Sequence, residues 1–313
     1  MRIAIFGAGG AGGYFGARLS EAGEDVVFLA RGAHLEAIRR SGLKVVTDSG
    51  TLLVQPARAT DDPAEVGPVD AVLVGVKAWQ VPAAARAMGP MVGPDTVVCP
   101  LQNGVEAAGQ LSEVLGAGPV LGGLSGTLSF LAAPGEIRSV GTTHFVKLGE
   151  LDGRPSERAL RLRDALARAG VDAEVPPDIL AAVWQKFLFV TAFGGVGAVA
   201  RAPVGVIRSV PETRRLLEGC MREAHAVGLA RGIGLAEDGV EKGLALLDSL
   251  AAEGTTSLQR DIVSGKPSEL EAWNGAVVRL GRDSGVPTPL HGFLYACLLP
   301  LERRARNELA FPA

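Results

Sequence analysis

The stretch AIFGAGGAGGYFGARL, residues 4–19, decides the fold of this chain. An apolar run leads into Gly7, Gly9 and Gly12, which follow the spacing G-x-G-x-x-G into a sequence with helical periodicity. In such a strand–turn–helix, the first glycine permits the tight turn, the second lets backbone approach a pyrophosphate, and the third lets helix and strand pack closely. Because helix N-termini attract phosphate, we predict a dinucleotide site here. Its cofactor-binding loop consists of Gly7, Ala8, Gly9, Gly10, Ala11 and Gly12.

The next apolar run indicates which dinucleotide is bound. The 42 glycines of the chain also allow a tight turn without a ligand, but a second strand at the expected distance argues against that interpretation. This strand ends in FLARGAH, with Arg31 19 residues after Gly12 and no acid at the tip. An NAD site usually has an acid there for the ribose 2′-hydroxyl, whereas a guanidinium binds a 2′-phosphate with two hydrogen bonds. Arg31 therefore favours NADP, and the alternative is a surface arginine at a strand end.

The first half of the chain alternates between short apolar runs and helical patterns, which is the order of a doubly wound α/β sheet. The apolar runs, interpreted as buried parallel strands, are residues 2–7, 25–31, 70–77, 95–103 and 119–123. The helical patterns are residues 11–22, 33–41, 79–89 and 105–116. Two polar interludes, LKVVTDSGTLLVQP (43–56) and GEIRSVGTTHFVKLGE (135–150), carry turn residues in their middle and predict hairpins added to the sheet.

Beyond Pro176 and Pro177 the pattern becomes mostly helical. We therefore expect an α/β chain with an N-terminal Rossmann-type doubly wound sheet with added hairpins, followed by an all-helical C-terminal domain. The predicted domains are an NADP-binding domain at residues 1–177 and a helical substrate-binding and catalytic domain at residues 178–313.

Composition narrows the class of protein. With 313 residues, 47% apolar residues and a net charge of −3, the chain is a globular protein without a basic face for nucleic acid or an anionic membrane. Three cysteines scattered among apolar neighbours predict core residues in a reducing compartment, and four histidines without ligand spacing predict no metal site. The N-terminal run meets glycine too early for a secretory signal. The apolar run 187–200 has 14 residues, against about 20 for a membrane span. We predict a soluble cytoplasmic protein.

Lys186 is the first candidate catalytic residue. In AAVWQKFLFVTAF (181–193) it is the one charged side chain between Asp178 and Arg201. Removing an ammonium from water is costly unless it is paired or used. On a helix Lys186 shares a face with Val190 and Gly194. In the functional interpretation this face lines the cleft against the dinucleotide domain, and the ammonium donates to a carbonyl oxygen as hydride arrives at carbon. In the alternative, the lysine extends from the domain junction into water.

Four further residues are candidates, each with a simpler structural interpretation. Lys77 and Asn103 follow apolar runs, and ligands bind beyond the carboxyl ends of such strands. The alternatives are a solvated strand end for Lys77 and a simple Asn-Gly turn for Asn103. Glu269 lies in SELE, where the capping-box spacing predicts the first turn of a helix, and a glutamate there usually answers the helix dipole. Ser257 in TTSLQRD first suggests a helix cap.

Together these segments resemble the ketopantoate reductase (2-dehydropantoate 2-reductase) family. The similar motifs occur in the family's order over nearly the whole chain: GAGGAGGYFGARL, VGVKAWQ, LQNGVE, GTTHF, VWQKF, TTSLQRDI and SELEAWNGAVVRLG. The resemblance implies an NADPH-dependent Rossmann domain, a helical domain, and hydride transfer to a 2-oxo acid in the cleft between them.

The resemblance also implies a role for each candidate. Lys186 would be the general acid, and Glu269 would hold the substrate hydroxyl and the lysine. Ser257 would bind the substrate carboxylate, and Asn103 would lie beside nicotinamide and substrate. Arg31 would bind the 2′-phosphate. Lys77 matches the cleft lysine.

One departure from the family concerns the substrate. The family typically has asparagines one and two turns after the catalytic lysine and another ten residues further on, where this chain has Val190, Gly194 and Val204. A polar substrate would lose hydrogen bonds here, each of about 0.5–1.5 kcal/mol. We therefore expect a bulkier or more apolar 2-oxo acid to contact Val190 and Gly194, with ketopantoate as the alternative.

Three functions stay open from the sequence: an NADPH-linked 2-oxo acid reductase, a β-hydroxy acid dehydrogenase, and a non-catalytic NADPH-binding redox sensor. The QNG and SELE motifs favour the first, and a sensor needs no proton donor such as Lys186. The oligomeric state is also open, with a homodimer through the helical half among the options.

Overall fold

A computed structural model describes residues 1–311 of the chain. These residues divide into two units. The first contains residues 1–102 and 106–179, and the second contains residues 103–105 together with the chain from Leu180 onward. Each unit has a hydrophobic core of its own.

The first unit alternates strands and helices. In chain order they are β1 (Arg2–Phe6), α1 (Gly10–Glu21), β2 (Asp25–Leu29), α2 (Gly32–Ser41), β3 (Leu43–Thr47), β4 (Gly50–Val54), β5 (Arg58–Thr60), β6 (Ala71–Val74), α3 (Val81–Ala87), β7 (Val97–Pro100), α4 (Ala107–Leu115), β8 (Gly122–Ala133), β9 (Glu136–Gly149), α5 (Glu157–Arg168) and β10 (Asp172–Glu174). The main sheet is parallel throughout, in the order β5-β2-β1-β6-β7. Its central strands are buried between two separate cores, which explains their unbroken apolar runs. The predicted Rossmann-type sheet is confirmed.

The first predicted hairpin is present and the second is wrong. β3 and β4 pair antiparallel, with Thr47 opposite Gly50 across the predicted DSG turn. The segment 135–150 does not fold back on itself, because β9 is a single strand that pairs antiparallel with β8. The VGTT sequence forms an irregularity between the pairs Gly126–Phe145 and Leu128–Val140, and the reversal of the chain lies earlier, at Gly135, whose φ is 77°.

The predicted parallel strand at 119–123 is also corrected. Only Val120 makes a parallel bridge, to Val98, and β8 then begins at Gly122 and runs antiparallel to β9. These strands form a second sheet in the order β10-β9-β3-β4, with β8 on β9. Distant strands therefore complete this sheet, which no local sequence pattern indicates.

The second unit is helical over its described residues, as predicted. Its helices are α6 (Ile179–Ala200), α7 (Val204–Ser209), α8 (Pro211–Ala230), α9 (Gly239–Ser249), α10 (Ser257–Val263), α11 (Ala276–Asp283) and α12 (Pro289–Ala305). A π-helical turn, Glu271–Gly275, leads directly into α11. Of the cysteines expected in a core, Cys99 and Cys220 are buried, but Cys297 is exposed because it lies on an outer position of α12.

Helix α6 is the central element of this unit. It is apolar on all sides, which is typical of a helix surrounded by protein. It begins well before the apolar run counted in the sequence, so its 22 residues are long enough to cross a membrane. However, 67% of its most apolar 18-residue window is buried by the rest of the structure. This helix is therefore accounted for as a core helix of the fold.

Candidate active site

The glycine loop after β1 has the environments that a pyrophosphate site requires. Gly7 has a φ of 102°, and the N–H groups of Gly7 and Ala8 both donate to the Leu29 carbonyl, at 3.1 and 3.0 Å. A Cβ on Gly12 would lie 2.1 Å from the Gly7 oxygen, so helix and loop pack too closely for any side chain. By contrast, a Cβ on Gly9 would meet no atom within 4 Å. The open space at Gly9, at the N-terminus of α1, fits the approach of a dinucleotide phosphate.

His34 fixes this loop, and the sequence reasoning missed it. The N–H of Gly135 donates to His34 Nδ1 at 2.9 Å, which leaves the proton on Nε2, and Nε2 then donates to the Ala8 carbonyl at 2.8 Å. The imidazole thus links the loop to the turn between β8 and β9. Because Gly135 is 101 residues away in the chain, no local pattern reveals this bridge.

Arg31 and Lys77 lie after strands of the parallel sheet, as predicted. Arg31 is exposed, follows the end of β2 and precedes α2, with Gly32 at a φ of 55°. Lys77 follows β6, and its ammonium lies 5.8 Å from the ring centroid of Trp79. The Lys77 N–H donates to Gln80 Oε1 at 3.1 Å, which holds the turn.

Three of the predicted residues come together in the second unit: Lys186, Asn103 and Glu269. The ammonium of Lys186 donates to Asn103 Oδ1 at 2.7 Å. Burial lowers the pKa of Lys186 to about 8, and attraction by the Glu269 carboxylate opposes that lowering. Glu269 itself is only 7% exposed. A partly buried ammonium with a pKa near neutrality, beside a carboxylate and an amide, is suited to giving up a proton.

Gln102 fixes the backbone directly before Asn103. Sequence reasoning also missed this residue. Its buried side-chain amide donates to the carbonyl oxygens of Val74 and Val76, each at 2.8 Å. These two acceptors lie at and just beyond the end of β6. The glutamine of the QNG motif therefore anchors the chain at the residue directly before the lysine's hydrogen-bond partner.

Two helix-cap predictions need correction. Thr256, and not Ser257, caps α10, because its hydroxyl accepts from the Gln259 N–H at 3.1 Å. Ser257 is the first residue of the helix, and its side chain makes no hydrogen bond to another described residue. It is not joined to the lysine cluster.

The predicted capping box at Ser268 and Glu271 is wrong. The Ser268 N–H donates to Glu302 of α12, while Glu271 pairs with Arg279 and accepts from Tyr295. A buried carboxylate from a distant helix thus replaces the local one. Glu269 consequently precedes a π-helical turn and does not lie in the first turn of an α-helix.

The face of α6 beyond Lys186 is covered by other elements of the second unit. Val190 is 8% exposed, and Val204, the first residue of α7, is fully buried. A Cβ on Gly194 would lie 2.7 Å from Cζ3 of Trp273 and 3.1 Å from Cδ2 of Leu258. The space where a side chain at position 194 would lie is therefore filled by an indole.

Two family profiles match most of the chain. A family profile described as "Ketopantoate reductase PanE/ApbA" matches residues 3–153, and its companion, "Ketopantoate reductase PanE/ApbA C terminal", matches residues 178–302. The chain belongs to the ketopantoate reductase family. This family consists of NADPH-dependent oxidoreductases that act on CH–OH groups, which confirms the predicted enzyme class and cofactor.

Several ketopantoate reductases are similar over nearly their whole length. A 2-dehydropantoate 2-reductase of Mesorhizobium japonicum is 33% identical over 310 residues, covering 92% of this chain and 94% of the relative. The solved 2-dehydropantoate 2-reductase of Geobacter metallireducens is 32% identical, with a TM-score of 0.89 and coverage of 96% and 99% of the two chains. The PanE/ApbA family ketopantoate reductase of Ralstonia eutropha has the same TM-score at 30% identity, covering 98% and 100%.

Within residues 1–311, no group of three or more His, Cys, Asp and Glu side chains is arranged to hold a metal ion.

Proposed function

We propose that this enzyme reduces a 2-oxo acid to the 2-hydroxy acid, as ketopantoate reductases do, with Lys186 as the general acid. One observation carries the assignment: the Lys186 ammonium donates to Asn103 Oδ1 at 2.7 Å, and burial lowers the lysine pKa to about 8, although attraction by Glu269 opposes that lowering. A proton donor works best when its pKa is close to the working pH. The protonated lysine is thus both populated and acidic enough at neutral pH.

The proposed reaction adds one hydride to the carbonyl carbon and one proton to the carbonyl oxygen. When bound, NADPH supplies a hydride to the carbonyl carbon. Lys186 donates its proton to the carbonyl oxygen as negative charge develops there, so the product is a hydroxyl and the lysine becomes a neutral amine. Asn103 orients the ammonium through its amide oxygen. Glu269 holds the lysine and the substrate hydroxyl, and Ser257 binds the substrate carboxylate.

We assign the cofactor to the first half of the chain. The loop 7–12 binds the pyrophosphate, Arg31 the 2′-phosphate, and Lys77 and Asn103 the nicotinamide side. Residues 1–177 then form the NADP-binding domain and residues 178–313 the substrate-binding and catalytic domain. We also infer a cytoplasmic location and a homodimer as the assembly to be tested.

Replacement of the lysine tests this mechanism. In Lys186→Ala the proton donor is lost, so kcat for oxo-acid reduction should fall by about 10²–10⁴-fold. NADPH affinity should stay close to that of the unmodified enzyme, since the cofactor loop is untouched. Turnover is followed by the loss of reduced-nicotinamide absorbance, and cofactor binding by calorimetry.

Lys242→Ala is the matched control, because Lys242 is an exposed lysine on α9 of the same unit, where it pairs with Asp238. It should leave kcat unchanged. Full turnover in Lys186→Ala would show that the general acid has been assigned to the wrong residue.

The surroundings of α6 favour an apolar substrate over ketopantoate. Val190 offers no hydrogen bond, and the indole of Trp273 occupies the space beside Gly194. The kcat/KM values should therefore be higher for 2-oxo acids with apolar side chains than for ketopantoate. A panel that holds the carboxylate and carbonyl constant and varies the side chain measures this. A clear preference for ketopantoate would refute the substrate assignment and leave the general-acid role intact.

A further inference from the structure

The residue directly before Glu269 is held by every polar group it has. Ser268 is fully buried, and its N–H donates to both carboxylate oxygens of Glu302, at 3.1 and 3.0 Å. Its hydroxyl donates to Glu302 Oε2 at 2.5 Å and accepts from the Leu270 N–H at 3.3 Å. Its carbonyl accepts from Arg306 Nη2 at 3.1 Å. This segment therefore has little freedom to shift.

Glu302 is a carboxylate in an unusual place. It lies on α12 and is only 4% exposed, and Arg306, one turn later, donates from Nε to its Oε1 at 2.6 Å. A buried ion pair is weak evidence for stability, since apolar residues of similar size often serve as well. This pair does fix the orientation of the Ser268 backbone, because Glu302 accepts its N–H and Arg306 donates to its carbonyl.

We propose that Glu302 and Arg306 are positioning residues that set the Glu269 carboxylate relative to Lys186. The inference rests on the proposed roles of Lys186 and Glu269. On the other side of Glu269, its own carbonyl accepts from the Trp273 N–H at 3.0 Å, so the backbone is held both before and after the carboxylate. Displacing a catalytic group by about 1 Å can cost on the order of 100-fold in rate.

The pKa of Lys186 reports whether Glu269 is in place. The groups that bear on the ammonium include the uncharged amide of Asn103 and the Glu269 carboxylate, which lie on different segments, and attraction by Glu269 keeps the lysine pKa from falling further. If Glu269 moves away, the lysine pKa drops below about 8. Because a general acid must be protonated, the decline of kcat/KM at alkaline pH then moves to lower pH.

Two variants of the full enzyme test this, Glu302→Gln and Arg306→Gln. Each should lower kcat/KM by about 10-fold, and each should move the alkaline decline of kcat/KM down by about half a pH unit or more. Arg306→Lys, which keeps a cation beside Glu302, should restore the unmodified profile at least in part. If Glu302→Gln does not fold, Arg306→Gln still gives the measurement, because the carboxylate stays in place.

Glu223→Gln is the matched control. Glu223 is also a largely buried carboxylate of the second unit, and it accepts the N–H groups of Leu290 and His291 at 2.8 and 3.0 Å. It should lose a similar amount of thermal stability without any shift of the pH profile.

The outcomes distinguish a failure of the positioning role of Glu302 and Arg306 from a failure of the general-acid role of Lys186. If Glu302→Gln and Arg306→Gln behave like Glu223→Gln, with lower Tm but an unmoved profile, the positioning role is wrong while the general acid stands. If the unmodified enzyme shows no alkaline decline, or if turnover survives in Lys186→Ala, then the general-acid role itself fails and this inference fails with it.

Discussion

The proposed preference for NADPH over NADH rests on Arg31. Its guanidinium is exposed after β2, at the start of α2, and so can form two charge-assisted hydrogen bonds with a 2′-phosphate. In Arg31→Ala, the Kd for NADPH should rise by about 10-fold or more, because hydrogen bonds to charged groups contribute about 1.5–3 kcal/mol. The Kd for NADH should change little. Calorimetric titration with both cofactors measures this.

Arg40→Ala provides the comparison for Arg31→Ala, since Arg40 is an exposed arginine on α2, the helix that Arg31 precedes. It should leave both affinities unchanged. Equal affinities of the unmodified enzyme for NADPH and NADH would contradict the role given to Arg31.

At this scale, sequence reasoning works for residues with an unusual local context. Lys186 stands out because it is charged within an apolar helix, and the structure joins it to Asn103, 83 residues earlier. Gln102, His34 and Glu302 do not stand out. Each acts through hydrogen bonds to backbone groups that lie 26 or more residues away, and backbone partners leave no mark in the sequence.

In the loop between β1 and α1, we expect one glycine to matter for ligand binding and another for the stability of the fold. The space around Gly9 is open and its φ of −72° suits any residue, so Gly9→Ala should fold with nearly unchanged Tm. The added methyl would occupy the space assigned to a phosphate, so NADPH should bind about 10-fold more weakly or worse.

Gly12→Ala should behave differently. Its Cβ would lie 2.1 Å from the Gly7 carbonyl oxygen, and overpacking of this kind typically costs about 1–3 kcal/mol of folding stability. Both Tm and NADPH affinity should therefore fall. A Gly9→Ala variant that lost stability, or that bound NADPH normally, would disprove the division of roles between these glycines.

Element predictions succeeded where the signal is local. The β3–β4 hairpin follows from its DSG turn, and α1 follows from the glycine loop. In β9 the same reasoning failed, because Gly141, with a φ of 77°, bends the strand without ending it. The strand pairs with β8 along one edge and with β3 and β10 along the other. The π-helical turn after Glu269 was missed as well, since its irregular bonding accompanies packing against α6 and not a residue pattern.

For the whole molecule, helix α6 raises the question of membranes. It is long and apolar enough to span one, yet most of that apolar window is packed within the second unit. We expect the folded enzyme to stay in the aqueous phase of a detergent phase-separation assay. Recovery in the detergent phase, with NADPH oxidation retained, would contradict the description of α6 as a core helix.

The glycines of α6 limit how this enzyme can acquire a new substrate. Side chains at positions 194, 195 and 197 would meet Trp273, Asn274 and Gln259 at 2.7, 2.5 and 2.8 Å, so the helix carrying Lys186 cannot gain a side chain there unless these neighbours shift. A single substitution that introduced an amide side chain at position 194 would first have to displace the indole of Trp273. Evolution or engineering of a different acid preference must therefore begin with smaller residues on the opposing segments, and only afterwards change the helix itself.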